Sequence, residues 1–350
     1  MRNYDYISLK KLLLPMETVS LISKINEYKG KQELYKQQAP QVLKTLKDVA
    51  VIQSTKASNA IEGIIITDKR LKGLMENKTS PFDRSEGEIA GYRDVLNLVH
   101  ASFEGIPINP NVILQLHRQL FHYIATEGGK WKNVDNVISK HLPDGKKFVR
   151  FVPVSSSETP EAIDSLCHEL NERMSKEDIE PLILISLFIL DFLSIHPFND
   201  GNGRMARILT LLLLYKFGYE VGRYISLEKI IENTKESYYE TLRLSSQGWH
   251  ENENKNDIFP WVNYILGTFV AAYKELESRV GIVQTGKGNK AARIKKYIEN
   301  KTGFFTKEEI RRACPDVSES TINRVLNELK DQNLIEPTGL GRNAKWKKNH

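Results

Sequence analysis

The amino-acid sequence predicts a mainly α fold: a helical bundle carrying one β-hairpin, followed by a C-terminal winged helix-turn-helix domain. Three observations lead there. Apolar residues recur at helical spacing over most of the 350 residues. One stretch, 131–154, instead alternates like strands on both sides of the turn signal Pro143-Asp144-Gly145. Beyond a glycine-containing stretch at 281–289, three short helical segments precede two short strand-like ones.

Taken in order, 17–35 and 40–62 have helical apolar spacing with few breakers. Residues 85–103 begin acidic, with Glu86 and Glu88, and continue as helix. Asn109-Pro110 opens the next helix, to about 123, with proline where a missing N–H costs nothing. An amphipathic helix follows at 160–175, and 181–195 is apolar enough to be buried. Another apolar helix covers 204–217 and ends near Gly218. The hairpin arms fall near 134–140 and 147–154; a lone hairpin is marginal in water and must lean on helices. The polar run 250–257 reads as a loop, and 281–289, with three glycines, as a linker. Helices then cover 290–302, 307–313 and 318–332, and strands 333–337 and 344–347, with 339–343 as the wing tip. The expected division is an N-terminal helical segment at 1–84, a core at 85–280 and the winged helix at 290–350.

Composition narrows the function. With 40% hydrophobic and 27% charged residues the chain can bury a sizeable core. Two isolated cysteines, Cys167 and Cys314, exclude a disulfide framework and argue against a cysteine zinc site. The N-terminus has no apolar signal core, and 181–195 falls short of the ~20 residues that span a bilayer. The expectation is a cytoplasmic protein with no membrane partner. The net charge of +6 lies wholly in 290–350, which carries 14 Lys and Arg against 8 Asp and Glu. A basic tail points to nucleic acid or simply to a solvated surface.

The chemistry concentrates in His196-Pro-Phe-Asn-Asp200-Gly-Asn202-Gly-Arg204-Met-Ala-Arg207. An apolar helix ends at His196, a loop with two glycines follows, and a second apolar helix begins. A glycine-rich turn feeding a helix N-terminus presents free N–H groups and the positive dipole end to an anion. Gly201 and Gly203 let backbone approach phosphate oxygens. Arg204 and Arg207 lie three apart and share one helical face, where both can fork onto phosphates. Asp200 is a hard oxygen ligand suited to Mg2+. His196, with an ordinary pKa of ~6.5, supplies a neutral base. Each feature alone is common in structural roles; together they read as a nucleotide phosphate site with a base beside it.

At these residues the sequence resembles the Fic family, whose signature His-Pro-Phe-x-[Asp/Glu]-Gly-Asn-Gly-Arg-x-x-Arg it matches at every defined position. The resemblance spans roughly 85–275 and implies a Fic-type helical bundle in which the hairpin is a flap. It also implies an activity, AMPylation: transfer of AMP from ATP to a Ser, Thr or Tyr hydroxyl of a protein, including the enzyme itself. Transfer of UMP, GMP or phosphate, and removal of AMP, stay open as alternatives. By residue match, His196 is the general base and Asp200 holds Mg2+. Gly201, Asn202 and Gly203 form the anion hole, with Met205 and Ala206 in the same turn, and Arg204 and Arg207 hold the distal phosphates. Downstream, Tyr238-Tyr239-Glu-Thr-Leu242 resembles a stretch bordering the adenine pocket. Tyr238 is the first choice for a base or ribose contact, Tyr239 and Leu242 are lining, and Ser246 lies in the following turn where some relatives have Asn. Core packing is the other reading of both tyrosines.

Ser58-Asn-Ala-Ile-Glu62-Gly63 closes the helix at 40–62, with Gly63 as a plausible end cap. A carboxylate at that negative helix end is disfavoured by ~0.3–1 kcal/mol. Either Glu62 is exposed and harmless, or a cation elsewhere holds it. The resemblance implies the second: one Fic class carries an inhibitory helix, [Ser/Thr]-x-x-x-Glu-[Gly/Asn], whose Glu pairs with the second motif arginine, here Arg207. Ser58 then faces the same site one turn earlier. The resemblance further implies that the flap lends its edge to the target protein and that backbone at Val149, Arg150 and Phe151 touches ATP. A purely structural hairpin stays open. For 290–350, two uses remain: DNA binding, with Arg324 in a groove and Arg342 and Lys345 on phosphates, or protein contacts including a homodimer. A DNA-binding regulator or ATP-sensing adaptor is the competing class.

Overall fold

The structure, a computed structural model, describes residues 6, 11–76, 78–141, 147–250, 256–284, 290–301, 303–315, 317–338 and 344–349. Two helices form its centre, α7 (Pro181–Ile195) and α8 (Asn202–Lys216). Every residue of α7 after Pro181 is buried, because a helix without a polar face must be surrounded. Surrounding the pair are α2 (Pro40–Ile61), α4 (Arg84–Ser102), α6 (Thr159–Lys176), α10 (Lys235–Ser246) and α11 (Phe259–Gln284). The outer layer comprises α1 (Met16–Gln38) along α11, α3 (Asp68–Met75) and α5 (Pro110–Leu120) on α4, and α9 (Leu227–Asn233) on α2. Helix starts follow local chemistry. Asp83 accepts from Glu86 N at 2.8 Å, Asn109 from Val112 N at 2.9 Å with Pro110 behind it, and Glu180 from Ile183 N at 2.9 Å. Gly91 lets α4 approach α5, since a Cβ there would overlap the Leu120 carbonyl oxygen.

The hairpin is β1 (Ile138–His141) antiparallel to β2 (Lys147–Phe151), shorter than the arms read from alternation; its turn at 142–146 lies outside the described residues. Ile138 pairs with Phe151 and Ser139 with Val149, so Arg150 is the extra residue of a bulge.

The C-terminal unit contains α12 (Lys290–Asn300), β3 (Phe305–Thr306), α13 (Lys307–Ala313), α14 (Glu319–Asp331), β4 (Ile335–Pro337) and β5 (Lys345–Lys348). Its sheet order is β3-β5-β4, and Ile294, Ile310, Val325, Leu326 and Trp346 belong to a core of its own. The two-residue β3 is too short to show in an alternation pattern.

Several expectations differ from what is seen. Within the N-terminal helical segment, Ile25, Leu46 and Ile61 belong to the same hydrophobic cluster as α7 and α8, while Leu71 and Leu74 of α3 form a smaller one with Ile89. Helix α3 was not read from the sequence, although Thr67 caps it by accepting from Arg70 N. Helix α11 continues through 281–284, so the stretch read as a linker begins as helix. The remainder at 285–289, most of the loop at 250–257 and the wing tip at 339–343 lie outside the described residues. Among the described residues no helix is long and apolar enough to cross a membrane.

Candidate active site

The loop between α7 and α8 is held by its own side chains. His196 ends α7 in the left-handed region at φ 52, ψ 62, and its N–H returns to Phe192 O at 3.0 Å. Gly201 is also left-handed, at φ 83, and a Cβ there would meet the Phe121 ring and His117. Asn202 clasps the loop twice: Phe198 N donates to its Oδ1 at 2.9 Å, and its Nδ2 donates to Phe198 O at 2.8 Å. His117 of α5 accepts from Gly129 N at 2.9 Å through Nδ1, which leaves Nε2–H to donate to Asp200 O at 3.0 Å. Its ring stacks on Phe198 at 3.7 Å.

Around this loop, carboxylates and guanidiniums alternate. Arg204 donates to Glu88 Oε2 at 2.6 Å and to Asp200 Oδ1 at 3.4 Å, while Arg84 bonds Glu88 Oε1 at 2.7 Å and Asp200 Oδ2 at 3.0 Å. Gly201 N also donates to Asp200 Oδ1, at 2.6 Å. Helix α8 has no side-chain cap, so its first turn, Asn202 to Arg204, offers amides to an anion. Met205 and Ala206 do not belong to that surface. Both side chains are buried in the core, and Met205 N is already bonded to Gly201 O. Side chains point some 100° apart per residue on a helix, so the two positions between the arginines face inward.

Arg207 is committed to the end of α2. Its Nε donates to Ser58 Oγ at 2.7 Å, and Nη2 donates to Ser58 O at 2.9 Å and Glu62 Oε1 at 2.7 Å. Its Nη1 is buried without a hydrogen-bond partner. Glu62 is the C-terminal cap of α2, followed by Gly63 at φ 84, a left-handed position with open space around it. The carboxylate lies against Gly203, where a Cβ would overlap Glu62 Oε1. An acidic side chain of the protein itself thus sits at the uncapped start of α8. The local disadvantage of a carboxylate at a helix C-terminus is offset by Arg207 and by Lys235, whose Nζ donates to Ile61 O.

The two tyrosines divide differently from the sequence reading. Tyr238 is 3% exposed and packs edge-on against Trp261 and Tyr264 in the core. It is Tyr239 and Leu242 that line a small pocket of about 50 Å³ with Ser246, the last residue of α10 and not part of a turn. Arg150 and Phe151 of the hairpin form its opposite wall. The reason is that α10 packs along α11, and the position nearer α11 is drawn into the core. Phe151 is held by stacking on His250 at 5.3 Å, while Val149 is half exposed, as are Val134, Val137 and Val152. In the C-terminal unit, Arg324 donates to Glu328 at 2.5 Å, Lys345 is exposed on β5, and Arg342 lies outside the described residues.

Burial pushes the His196 pKa down to about 4. The Lys132 ammonium acts in the same sense; the Leu193 carbonyl and the Glu62 and Asp200 carboxylates act against it. The imidazole is therefore neutral across the physiological range. Burial also lowers His117 to about 4 and His100 to about 3. Both are neutral when folded and titrate near 6.5 when unfolded. Below pH 6.5 the unfolded chain takes up the protons first, so their contribution is intact above 6.5 and is lost as pH falls toward 4. Each should remove about 1.4 kcal/mol per pH unit in that window. Thermal unfolding from pH 7 to 5 is expected to show a steep drop in Tm below 6.5, reduced in His100→Gln. A flat Tm would contradict the buried neutral state.

Sequence reasoning missed Arg84, Glu88, His117, Lys132 and Lys235. They come from four segments remote from the motif, and only Glu88 drew notice, as part of an acidic helix start.

The chain is similar to known proteins in sequence and in fold. Residues 107–214 match the family model Fic/DOC family. Curated relatives named protein adenylyltransferase Fic include those of Drosophila grimshawi and Nematostella vectensis. The first is 26% identical over 275 residues, covering 75% of this chain and 52% of that protein. The second is 25% identical over 229 residues, covering 62% and 46%. The chain thus spans about half the length of the curated relatives it matches. Among solved structures, a Fic family protein from Desulfovibrio desulfuricans superposes with a TM-score of 0.62 at 19% identity, covering 97% of both chains. A Fic domain containing signaling protein from Bacteroides thetaiotaomicron gives 0.60 at 23% identity, over 72% of this chain and 94% of that one. These two share the fold. The loop from His196 to Arg207 falls inside the matched residues, as do all of α7 and α8 as far as Leu214, and this stretch of the chain is similar to the Fic/DOC family.

Proposed function

We propose that the protein is an adenylyltransferase that moves AMP from ATP to a hydroxyl of a protein and is held in check by Glu62. One observation carries the reading: a neutral imidazole, an uncapped helix start and two arginines share one loop, and a carboxylate of the same chain sits where an anion would bind. The name borne by the curated relatives supports it.

In this reading the phosphates of ATP lie on the amides of Asn202 and Gly203, and Arg204 and Arg207 take the distal ones. His196 accepts the proton of the target hydroxyl as its oxygen bonds to the α-phosphorus. The bond from that phosphorus to the bridging oxygen breaks, and pyrophosphate leaves. Tyr239 and Leu242, facing Arg150 and Phe151, border the adenosine. The edge of β2, with its exposed Val149, receives an extended target segment by strand addition.

Asp200 fits a magnesium ion: it is a half-exposed carboxylate in the cleft, and Mg2+ is usually bound through one or two carboxylates with water and phosphate oxygens. When bound with ATP, the ion supplies positive charge at the phosphates. Asp200→Ala is expected to raise the Mg2+ concentration for half-maximal transfer about tenfold or more, ~1.4 kcal/mol of metal affinity. An unchanged Mg2+ titration would remove Asp200 from the metal site.

The direct test is incubation of the purified Glu62→Gly variant with ATP and Mg2+, read by intact mass. Addition of AMP to the protein or to a lysate target is the expected result; a UMP or phosphate increment assigns another transferred group. No increment under any nucleotide overturns the enzyme reading.

A further inference from the structure

Lys132 is a buried ammonium that the transfer chemistry above does not use. It is 3% exposed, and among the described residues no carboxylate lies within ion-pair distance of its Nζ. Asp135, whose charge acts on it, spends its Oδ1 on the N–H and hydroxyl of Ser156. Nζ instead donates to Ile195 O at 3.0 Å and to Asn136 Oδ1 at 3.3 Å, and the backbone N–H of Lys132 donates to Pro197 O at 2.8 Å. Asn136 reaches Phe198 O at 3.5 Å. The segment just before the flap thus grips the chain on both sides of His196.

This placement has two physical consequences. Ile195 is the last residue of α7, and its carbonyl belongs to the negative end of that helix, so the ammonium finds there the charge complement that no carboxylate provides. His196 is a non-glycine residue in the left-handed region, a conformation that persists only when its surroundings hold it. Bonds to the preceding and following carbonyls, both from one residue, are such a hold.

We propose that Lys132 is a positioning residue for the transfer reaction, fixing His196 in the left-handed conformation that ends α7 and tying that conformation to the base of the flap. The proposal rests on the reading of His196 as the base. Burial lowers the Lys132 pKa to about 8, with Asp135 acting against it, so the side chain keeps most of its charge at neutral pH. The groups acting on the His196 imidazole are then Lys132, which favours its neutral form, and the Leu193 carbonyl, Glu62 and Asp200, which oppose it.

The test uses the full chain in the Glu62→Gly background, with Lys132→Met, Lys132→Gln and Lys132→Arg. Transfer kcat, KM for ATP and ATP affinity are measured for each, with the His196 imidazole signal followed by NMR. Lys132→Met is expected to lower kcat 10- to 100-fold with ATP affinity within about twofold, because the phosphate contacts lie on α8 and not on α7. The His196 signal should shift or broaden. Lys132→Arg, which keeps charge and donors, should recover kcat to within a few-fold. Should Lys132→Met not fold, Lys132→Gln carries the test, since it keeps a donor and drops the charge. Full kcat in Met or Gln, or parallel loss of kcat and ATP affinity without rescue by Arg, would overturn the proposal. Retained transfer in His196→Ala would instead sink the base assignment, while the NMR shift in Lys132→Met would still report on the positioning contact.

Discussion

Glu62→Gly is expected to raise self-modification and target modification by at least an order of magnitude at matched protein and saturating ATP. In the proposed reading Arg207 has two competing anions, the Glu62 carboxylate 2.7 Å from its Nη2 and the distal phosphate of ATP. A hydrogen bond to a charged group contributes about 1.5–3 kcal/mol, which corresponds to roughly 10- to 150-fold in occupancy. The guanidinium is almost wholly buried, and its bonds to the Ser58 hydroxyl and carbonyl remain when Glu62 is removed, so the arginine stays in position and only its anion partner changes. Removing the carboxylate also clears the space over Gly203 at the start of α8. The double variant Glu62→Gly with Arg207→Ala should fall back to low activity, because the released arginine is then absent. Equal labelling by wild type and Glu62→Gly would return Glu62 to a structural carboxylate at a helix end.

His196→Ala, made in the activated Glu62→Gly background, should lower transfer by about 10²–10⁴-fold, the usual cost of losing a positioned base. ATP binding should be nearly unchanged, since the proposed phosphate contacts belong to the first turn of α8 and to the arginines, and the Asn202 clasp of the loop does not involve the imidazole. Kinetics and equilibrium ATP binding measured on the same sample separate the two. The pH profile adds a constraint. With its pKa near 4, His196 remains neutral well below the ordinary 6.5, so the acid limb of kcat/KM should lie below pH 6. Wild-type transfer in His196→Ala would exclude it as the base.

The local sequence carried the strongest part of the site. From His196 to Arg207 every chemical group lies within twelve residues, and the loop geometry follows from its own Gly201, Asn202 and Phe198. Helix boundaries were also local: prolines in first turns and Asx or Glu caps set α4, α5 and α7. Tyr238 and Tyr239 show where locality fails. Both are aromatic and adjacent, and which one faces the flap depends on the face of α10 that α11 covers.

By itself, then, the sequence determined the helical architecture, the hairpin and the glycine-containing loop from His196 to Arg207, because each is encoded by periodicity, capping or contiguous residues. Beyond the Glu62–Arg207 pair and the Ser58 contact that the family resemblance implied, only the tertiary structure decided what surrounds that loop. It brought Glu62 across 145 positions to Arg207, Glu88 across 116 to Arg204, and Lys132 across 63 to the end of α7. A charge on an isolated segment is a solvated side chain. It acquires a partner only when packing buries it next to an opposite charge or a helix end, and no spacing rule in one dimension contains that distance.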